Sequence, residues 1–140
     1  MSQTEIVARL SEVPLFASCS KRQLRKIASN GWEQTYEAGQ IVCEQGTLAD
    51  DFFVLLAGSA DVRRGGRKIG TLGAGDHFGE IALLRTLIGR SERTATVKAS
   101  TALRCFLLGR SQFQAVLYEE DIAVKILRAV VPRIDASTSL

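Results

Sequence analysis

A chain of 140 residues fits one domain of ordinary size and can bury a substantial core. Its composition, with 46% hydrophobic and 24% charged residues, is that of a globular protein and excludes a disordered or fibrous class. The formal net charge of +3 favours anions mildly, but the chain lacks the dense basic stripe of a nucleic-acid-binding protein.

The cysteines argue against an oxidising compartment. Cys19, Cys43 and Cys105 are odd in number and have no CxxC spacing, so neither a disulfide framework nor a zinc site is indicated. We therefore expect the protein in the reducing cytoplasm. The first residues lack a signal-peptide pattern and no apolar run approaches the ~20 residues of a membrane helix, so no membrane segment is expected.

Two helices are predicted first. Ser2 to Glu5 and Ser20 to Gln23 both have the form of a capping box and precede apolar residues at helical spacing. Asn30-Gly31 predicts the end of the second helix.

Short strands are predicted next, because runs rich in β-branched and aromatic residues alternate with glycines from position 32 to 108. Gly65-Gly66 is the clearest hairpin turn. The predicted strands are Gln40–Glu44, Phe52–Ala57, Ser59–Arg63, Arg67–Leu72, Ala95–Lys98 and Leu103–Leu108.

Helical periodicity returns near the C-terminus. Ser111 to Gln114 has the form of a third capping box, and apolar residues follow at spacings of three and four until Pro132. The order of helices, strands and helices predicts an α+β fold.

One stretch of the sequence suggests a phosphate site. Residues 73–84 place glycines before a short apolar segment, whose first backbone N–H groups would be free to bind an anion. Arg93 would add a planar, charged fork that matches phosphate oxygens. Glu80 would repel phosphate, so its expected role is to accept a hydrogen bond from a ribose hydroxyl. The pair implies a ligand that carries both sugar and phosphate.

The glycine spacing alone matches neither GxGxxG nor GxxxxGK[ST]. However, Phe78-Gly-Glu-Ile-Ala-Leu83 followed by Arg93-Thr-Ala-Thr-Val97 resembles the phosphate-binding cassette of cyclic-nucleotide-binding domains. This family includes protein kinase A regulatory subunits, catabolite activators and cyclic-nucleotide-gated channels. Val13–Phe16, Glu44–Gly46 and Phe53–Gly58 resemble the family's pattern in the same order, so the resemblance covers nearly the whole chain.

The resemblance implies a jelly-roll-like antiparallel β-roll, flanked by N-terminal helices and C-terminal lid helices, that binds cAMP or, less favoured, cGMP. It implies backbone contacts from the cassette to the cyclic phosphate, an ionic contact from Arg93, a ribose contact from Glu80 and a phosphate or base contact from Thr94. No catalytic residue, metal or cofactor is implied. The implied ligand-binding residues are Gly79, Glu80, Ile81, Ala82, Leu83, Arg93, Thr94, Ala95 and Arg133.

Two departures from the family's pattern leave alternatives open. Arg93 lies thirteen residues after Glu80, an unusually long connector that also brings Arg90 as a rival for the phosphate contact. Arg133, aligned with an arginine that stacks on the purine in bacterial channel members, follows Pro132.

We therefore predict a single domain, 1–140, that senses a cyclic nucleotide and relays binding through its C-terminal helices to an unidentified effector domain or protein. Its parts are N-terminal helices 1–31, a β-roll 32–110 with a cassette 78–97, and C-terminal helices 111–134. The alternative is a β-roll that has lost nucleotide binding and acts as a protein-interaction module.

Other classes of function are disfavoured by the sequence. DNA binding by this chain alone is not expected, because too few residues follow Pro132 for a helix-turn-helix. A metal-dependent enzyme is not expected either, because His77 is the only histidine.

Overall fold

The computed structural model describes residues 2–79, 85, 89, 92–117 and 122–126. Within them, helices flank a run of eight strands, and residues 122–126 are also helical. The elements are α1 (Gln3–Ser11), a 3-10 helix (Pro14–Phe16), α2 (Lys21–Asn30), β1 (Trp32–Tyr36), β2 (Ile41–Cys43), β3 (Asp51–Ala57), β4 (Ser59–Arg64), β5 (Arg67–Gly73), β6 (His77–Phe78), β7 (Thr96–Ala99), β8 (Leu103–Gly109) and α3 (Arg110–Leu117).

The N-terminal helices begin where the sequence predicts. At α2 the capping box is complete: Gln23 N donates to Ser20 Oγ at 3.2 Å, and Ser20 N donates to Gln23 Oε1 at 2.8 Å. At α1 Ser2 Oγ accepts from Glu5 N at 3.3 Å. Helix α2 ends at Asn30, and Gly31 follows as its C-cap.

The strands form two four-stranded antiparallel sheets. One has the order β1-β8-β3-β6 and the other β2-β7-β4-β5. Each predicted strand is present, with its ends within one residue of the predicted ones. Gly65 and Gly66, at φ of 58° and 81°, make the β4–β5 turn with the backbone that only glycine adopts without strain. This architecture confirms the predicted α+β β-roll.

The strand β3 separates two cores. Because successive side chains point to opposite faces of a strand, Phe52, Val54 and Leu56 pack against the helices, whereas Phe53 and Leu55 face the space between the sheets. Strand β8 alternates in the same way. The sheet that contains β3 and β8 is therefore covered on both faces: by the helical core on one side and by the second sheet on the other.

The C-terminal helix starts earlier than predicted. Strand β8 continues directly into α3, which begins at Arg110, so the prediction of Ser111 as an N-cap is wrong and that residue lies inside the first turn. Phe113 and Val116 join the helical core together with Ile122 and Ile126.

The rest of the predicted lid, from position 127 onward, lies outside the described residues. Within the described part of the chain, no helix has both the length and the apolar character needed to cross a membrane.

Candidate anion-binding site

Arg93 is the one buried charged side chain among the described residues, with 4% of its surface exposed. Charged side chains are seldom buried unless they are paired, because removing a charge from water is costly. The surroundings of this guanidinium therefore define the candidate site.

The backbone of Arg93 is fixed by the loop that follows β2. Gly46 N donates to Arg93 O at 2.9 Å, and Arg93 N donates to Thr47 O at 2.8 Å. An antiparallel bridge between Leu48 and Glu92 extends this pairing. The backbone of Arg93 is therefore held by a short ladder of hydrogen bonds, which fixes the position from which its side chain extends.

The guanidinium lies against two stacked rings. Phe53 and Phe78 are cross-strand partners, with centroids 4.5 Å apart and planes at 9°. Arg93 Cζ lies 5.5 Å from the Phe53 centroid and 5.9 Å from the Phe78 centroid, within the range of a cation–π contact. The guanidinium thus packs against aromatic rings that belong to the core between the sheets.

Among the described residues, one arm of the guanidinium has a hydrogen-bond acceptor and the other has none. Arg93 Nη2 donates to the main-chain oxygen of Asp51 at 2.5 Å. Arg93 Nη1 is buried and has no hydrogen-bond partner within the described part of the chain. Buried N–H donors are normally satisfied, and the cost of an unmade bond to a charged group is high. An anion at Nη1 would remove that cost.

The charge of Arg93 is not neutralised by an ion pair within the described residues. Burial lowers the pKa of Arg93, while the nearby Cys43, Asp51 and Asp50 act in the opposite direction. Burial disfavours the charged form of Asp51 too and therefore raises its pKa, and the nearby Arg93 partly offsets this rise. The site therefore carries a desolvated positive charge.

Gly79 lies directly beside the guanidinium of Arg93. It is buried, follows β6 directly and has φ of +93°. A Cβ at this position would lie 2.6 Å from Asp51 O and 2.8 Å from Arg93 Nη1. Only glycine fits, for reasons of both backbone conformation and space.

The residues after Arg93 divide between surface and core. Thr94 is exposed, whereas Ala95 is 2% exposed and packs between the sheets. The structure thus brings together Gly79 and the Arg93 side chain, with Thr94 at the adjoining surface.

Five of the sequence-predicted site residues lie outside the described residues: Glu80, Ile81, Ala82, Leu83 and Arg133. The rival arginine Arg90 also lies outside them.

Sequence reasoning missed the main-chain oxygen of Asp51 as a partner of Arg93. A carbonyl leaves no signal in the sequence, because every residue has one. It also missed the role of the Phe53 and Phe78 rings, although both occur in motifs quoted for the resemblance. Aromatic residues in neighbouring strands were the available signal.

No group of three or more His, Cys, Asp and Glu side chains is arranged to hold a metal ion in the part of the chain that the structure describes. His77 packs beside Phe52, with ring centroids 6.0 Å apart.

Comparison with known proteins identifies the family. Residues 33–120 match the cyclic nucleotide-binding domain, which is more than half of the chain, so the protein belongs to this family. The chain is 40% identical over 109 residues to a cAMP-dependent protein kinase regulatory subunit from Eremothecium gossypii, covering 77% of this chain and 23% of that protein. The corresponding subunit from Schizosaccharomyces pombe is 37% identical, with 77% and 26% covered. The chain spans about a quarter of these relatives.

Solved structures agree with the sequence comparison. The N-terminal domain of a transcriptional regulator from Streptomyces coelicolor A3(2) superposes with a TM-score of 0.80 at 27% identity, covering 91% of this chain and 93% of that one. A structure described as cAMP bound PfPKA-R has a TM-score of 0.71 at 27% identity, with 97% and 48% covered.

Proposed function

We propose that this domain is a regulatory sensor for signal transduction that binds a cyclic nucleotide, with cAMP favoured over cGMP. Arg93 binds the cyclic phosphate, and the N–H groups near Gly79, Ala82 and Leu83 complete the phosphate cradle. Glu80 accepts a hydrogen bond from the ribose 2′-hydroxyl, and Thr94 adds a contact at the surface. Arg133 stacks on the base from the C-terminal lid.

Arg93 Nη1, which has no hydrogen-bond partner among the residues that the structure describes, carries this proposal. A cation that is 4% exposed and lacks an ion pair within the described residues is suited to an anion that brings its own charge into the pocket. The neighbouring Gly79 lets the backbone approach Nη1 closely, where a Cβ would lie only 2.8 Å from that nitrogen.

The preference for cAMP rests on relatives. The curated relatives are named cAMP-dependent, and a matching structure is described as cAMP bound. These relatives are regulatory subunits, which supports a non-catalytic role. A protein kinase is accordingly the class of effector to test first. Because all three cysteines are free thiols, we place this activity in the cytoplasm.

The relay would run through the helical core. Gln23 Oε1 accepts from Ser20 N at 2.8 Å and from Lys125 Nζ at 2.8 Å, so the cap of α2 is tied to the C-terminal helical residues. A ligand that prefers one arrangement of these helices shifts their equilibrium toward it.

Calorimetric titration of cAMP, cGMP and 5′-AMP into the wild type and into Arg93→Ala tests the proposed ligand. Arg67→Ala is the matched control, since Arg67 is exposed at the hairpin turn and its removal changes the net charge equally. We expect cAMP to bind most tightly and Arg93→Ala to weaken it by ~10- to 150-fold, the equivalent of ~1.5–3 kcal/mol for a hydrogen bond to a charged group. No binding to the wild type, or equal binding to Arg93→Ala, overturns the proposal.

Hydrogen exchange of residues 122–126 with and without cAMP tests the relay. We expect cAMP to change the exchange of this segment in the wild type, and Lys125→Met to speed its exchange in the free protein by removing the tie to Gln23. Unchanged exchange on saturation with cAMP would refute the helical relay.

A further inference from the structure

We propose that Gln45 and Arg64, which hydrogen-bond to segments around Arg93, are positioning residues that hold the Arg93 segment in its ligand-binding geometry. This inference rests on the proposed function. If it holds, the affinity of the site for its ligand depends partly on the β4–β5 hairpin and on the loop after β2.

Gln45 ties three segments together. Its N–H donates to Thr96 Oγ1 at 2.9 Å, just beyond the bend that follows Arg93. Its side-chain Oε1 accepts from Gly65 N at 2.9 Å, at the turn of the β4–β5 hairpin. One residue thus connects the hairpin turn, its own loop and the start of β7.

Arg64 holds the bend itself. Its Nε donates to Thr94 O at 3.0 Å, one residue after Arg93. Arg64 is the cross-strand partner of Arg67 in the same hairpin.

These contacts act on the segment that sets the direction of the guanidinium. The Arg93 backbone is paired with Gly46 and Thr47, the residues directly after Gln45. Loss of the Gln45 or the Arg64 side chain would remove one of the contacts that support this pairing from the side. Because charge-assisted contacts need donors placed within about 0.5 Å, a looser segment weakens the phosphate contact without touching the ligand.

The first test compares Arg64→Ala with Arg67→Ala. The two variants remove the same charge from the same hairpin, but only Arg64 donates to Thr94. For an exposed hydrogen bond we expect Arg64→Ala to weaken cAMP by about 2- to 10-fold and Arg67→Ala by less than about 2-fold. Equal losses of affinity in the two variants would mean that Arg64 contributes only its positive charge, which would overturn its positioning role.

The second test changes only the acceptor at position 45. Gln45→Met keeps the length of the side chain but loses the oxygen that accepts from Gly65, whereas Gln45→Glu keeps an acceptor. Titrations at high ionic strength screen the added charge. We expect Gln45→Glu to bind cAMP nearly as tightly as the wild type and Gln45→Met to bind less tightly. Equal affinities for the two variants contradict the proposal for Gln45.

Amide hydrogen exchange of the ligand-free proteins separates this inference from the proposed function. We expect the Gly46 and Arg93 amides to exchange faster in Arg64→Ala and Gln45→Met, and at the wild-type rate in Arg67→Ala. This readout needs no nucleotide, so it still tests the positioning if the wild type fails to bind cAMP. Unchanged exchange at both amides in both positioning variants would overturn the inference.

Discussion

Gly79 and the Arg93 guanidinium lie so close that Gly79 has no room for a side chain: a Cβ built on it would stand 2.8 Å from Arg93 Nη1. The same Cβ would meet the main-chain oxygen of Asp51, which accepts the other arm of the guanidinium. Gly79, the Asp51 carbonyl and the Arg93 guanidinium therefore pack directly against one another, and a change at Gly79 affects the other two groups.

Gly79→Ala is expected to destabilise the protein and to weaken cAMP binding. The positive φ alone costs about 1–3 kcal/mol for alanine, and the Asp51 backbone cannot move aside as a side chain would. Urea unfolding and titration of cAMP measure both effects. Gly39→Ala is the control, because Gly39 has φ of +90° but nothing within 4 Å of its Cβ position. We expect it to cost the backbone strain alone, so an equal loss of affinity there would contradict the steric explanation.

Phe78→Leu is expected to weaken cAMP binding beyond its effect on folding. The substitution removes one of the two ring faces beside the guanidinium, a contact of about 0.5–2 kcal/mol. Phe113→Leu makes the same change in the helical core, away from Arg93. Both variants should lose roughly 1–3 kcal/mol of unfolding free energy. Only Phe78→Leu should raise the Kd, and a matching rise in Phe113→Leu would argue against the cation–π contact.

Unfolding free energy is expected to fall in alkaline solution, and Cys105 contributes to that fall together with Cys19 and Cys43, whose pKa values burial also raises. Burial raises the pKa of the Cys105 thiol from 9.0 to about 12. The folded state keeps the proton while the unfolded state loses it, so the contribution is full below about pH 9 and is lost as the pH rises toward 12.

Cys105→Ala should make the decline shallower, by up to ~1.4 kcal/mol per pH unit. Urea unfolding of both proteins between about pH 8 and 10 measures this difference. Burial also raises the pKa of Tyr36 from 10.0 to about 12, but Tyr36 is present in both proteins, so the comparison isolates Cys105. Identical slopes would show that Cys105 ionises as readily in the folded protein as in the unfolded one.

Ser20→Ala is expected to cost more stability than Ser2→Ala. Ser20 takes part in a complete capping box whose Gln23 also contacts Lys125. Ser2 makes a single 3.3 Å side-chain bond at the first described residue. Loss of a cap typically costs about 1 kcal/mol, which we expect for Ser20 and a smaller value for Ser2. Thermal unfolding of the two variants measures the difference, and the reverse order would contradict it.

Sequence patterns predicted the strands well where apolar residues were frequent. Strand β1 was missed because four of its five residues are exposed and only Tyr36 is buried, so Trp32-Glu-Gln-Thr-Tyr36 shows no apolar alternation. Strand β6 was missed because two residues are too short to show a period. Both exist through pairing with strands distant in sequence, which a local pattern cannot reveal.

Within the site, sequence reasoning set Arg93 apart from the surface arginines, and the structure buries its side chain. Its role as a phosphate ligand stays a prediction. Its partners were less accessible to sequence reasoning. The Asp51 carbonyl and the Gln45–Gly65 contact depend on how loops meet in space. The proposed ribose contact of Glu80 remains a prediction.

Strand β3 has a consequence for any signal that leaves the pocket. Phe53 touches the cation, and its neighbour Phe52 meets Phe16 edge-on at 5.6 Å among the helices. Only the thickness of one strand separates Arg93, the proposed phosphate ligand, from the helical layer. A shift of β3 by a fraction of an ångström would therefore move side chains on both faces of the sheet at the same time.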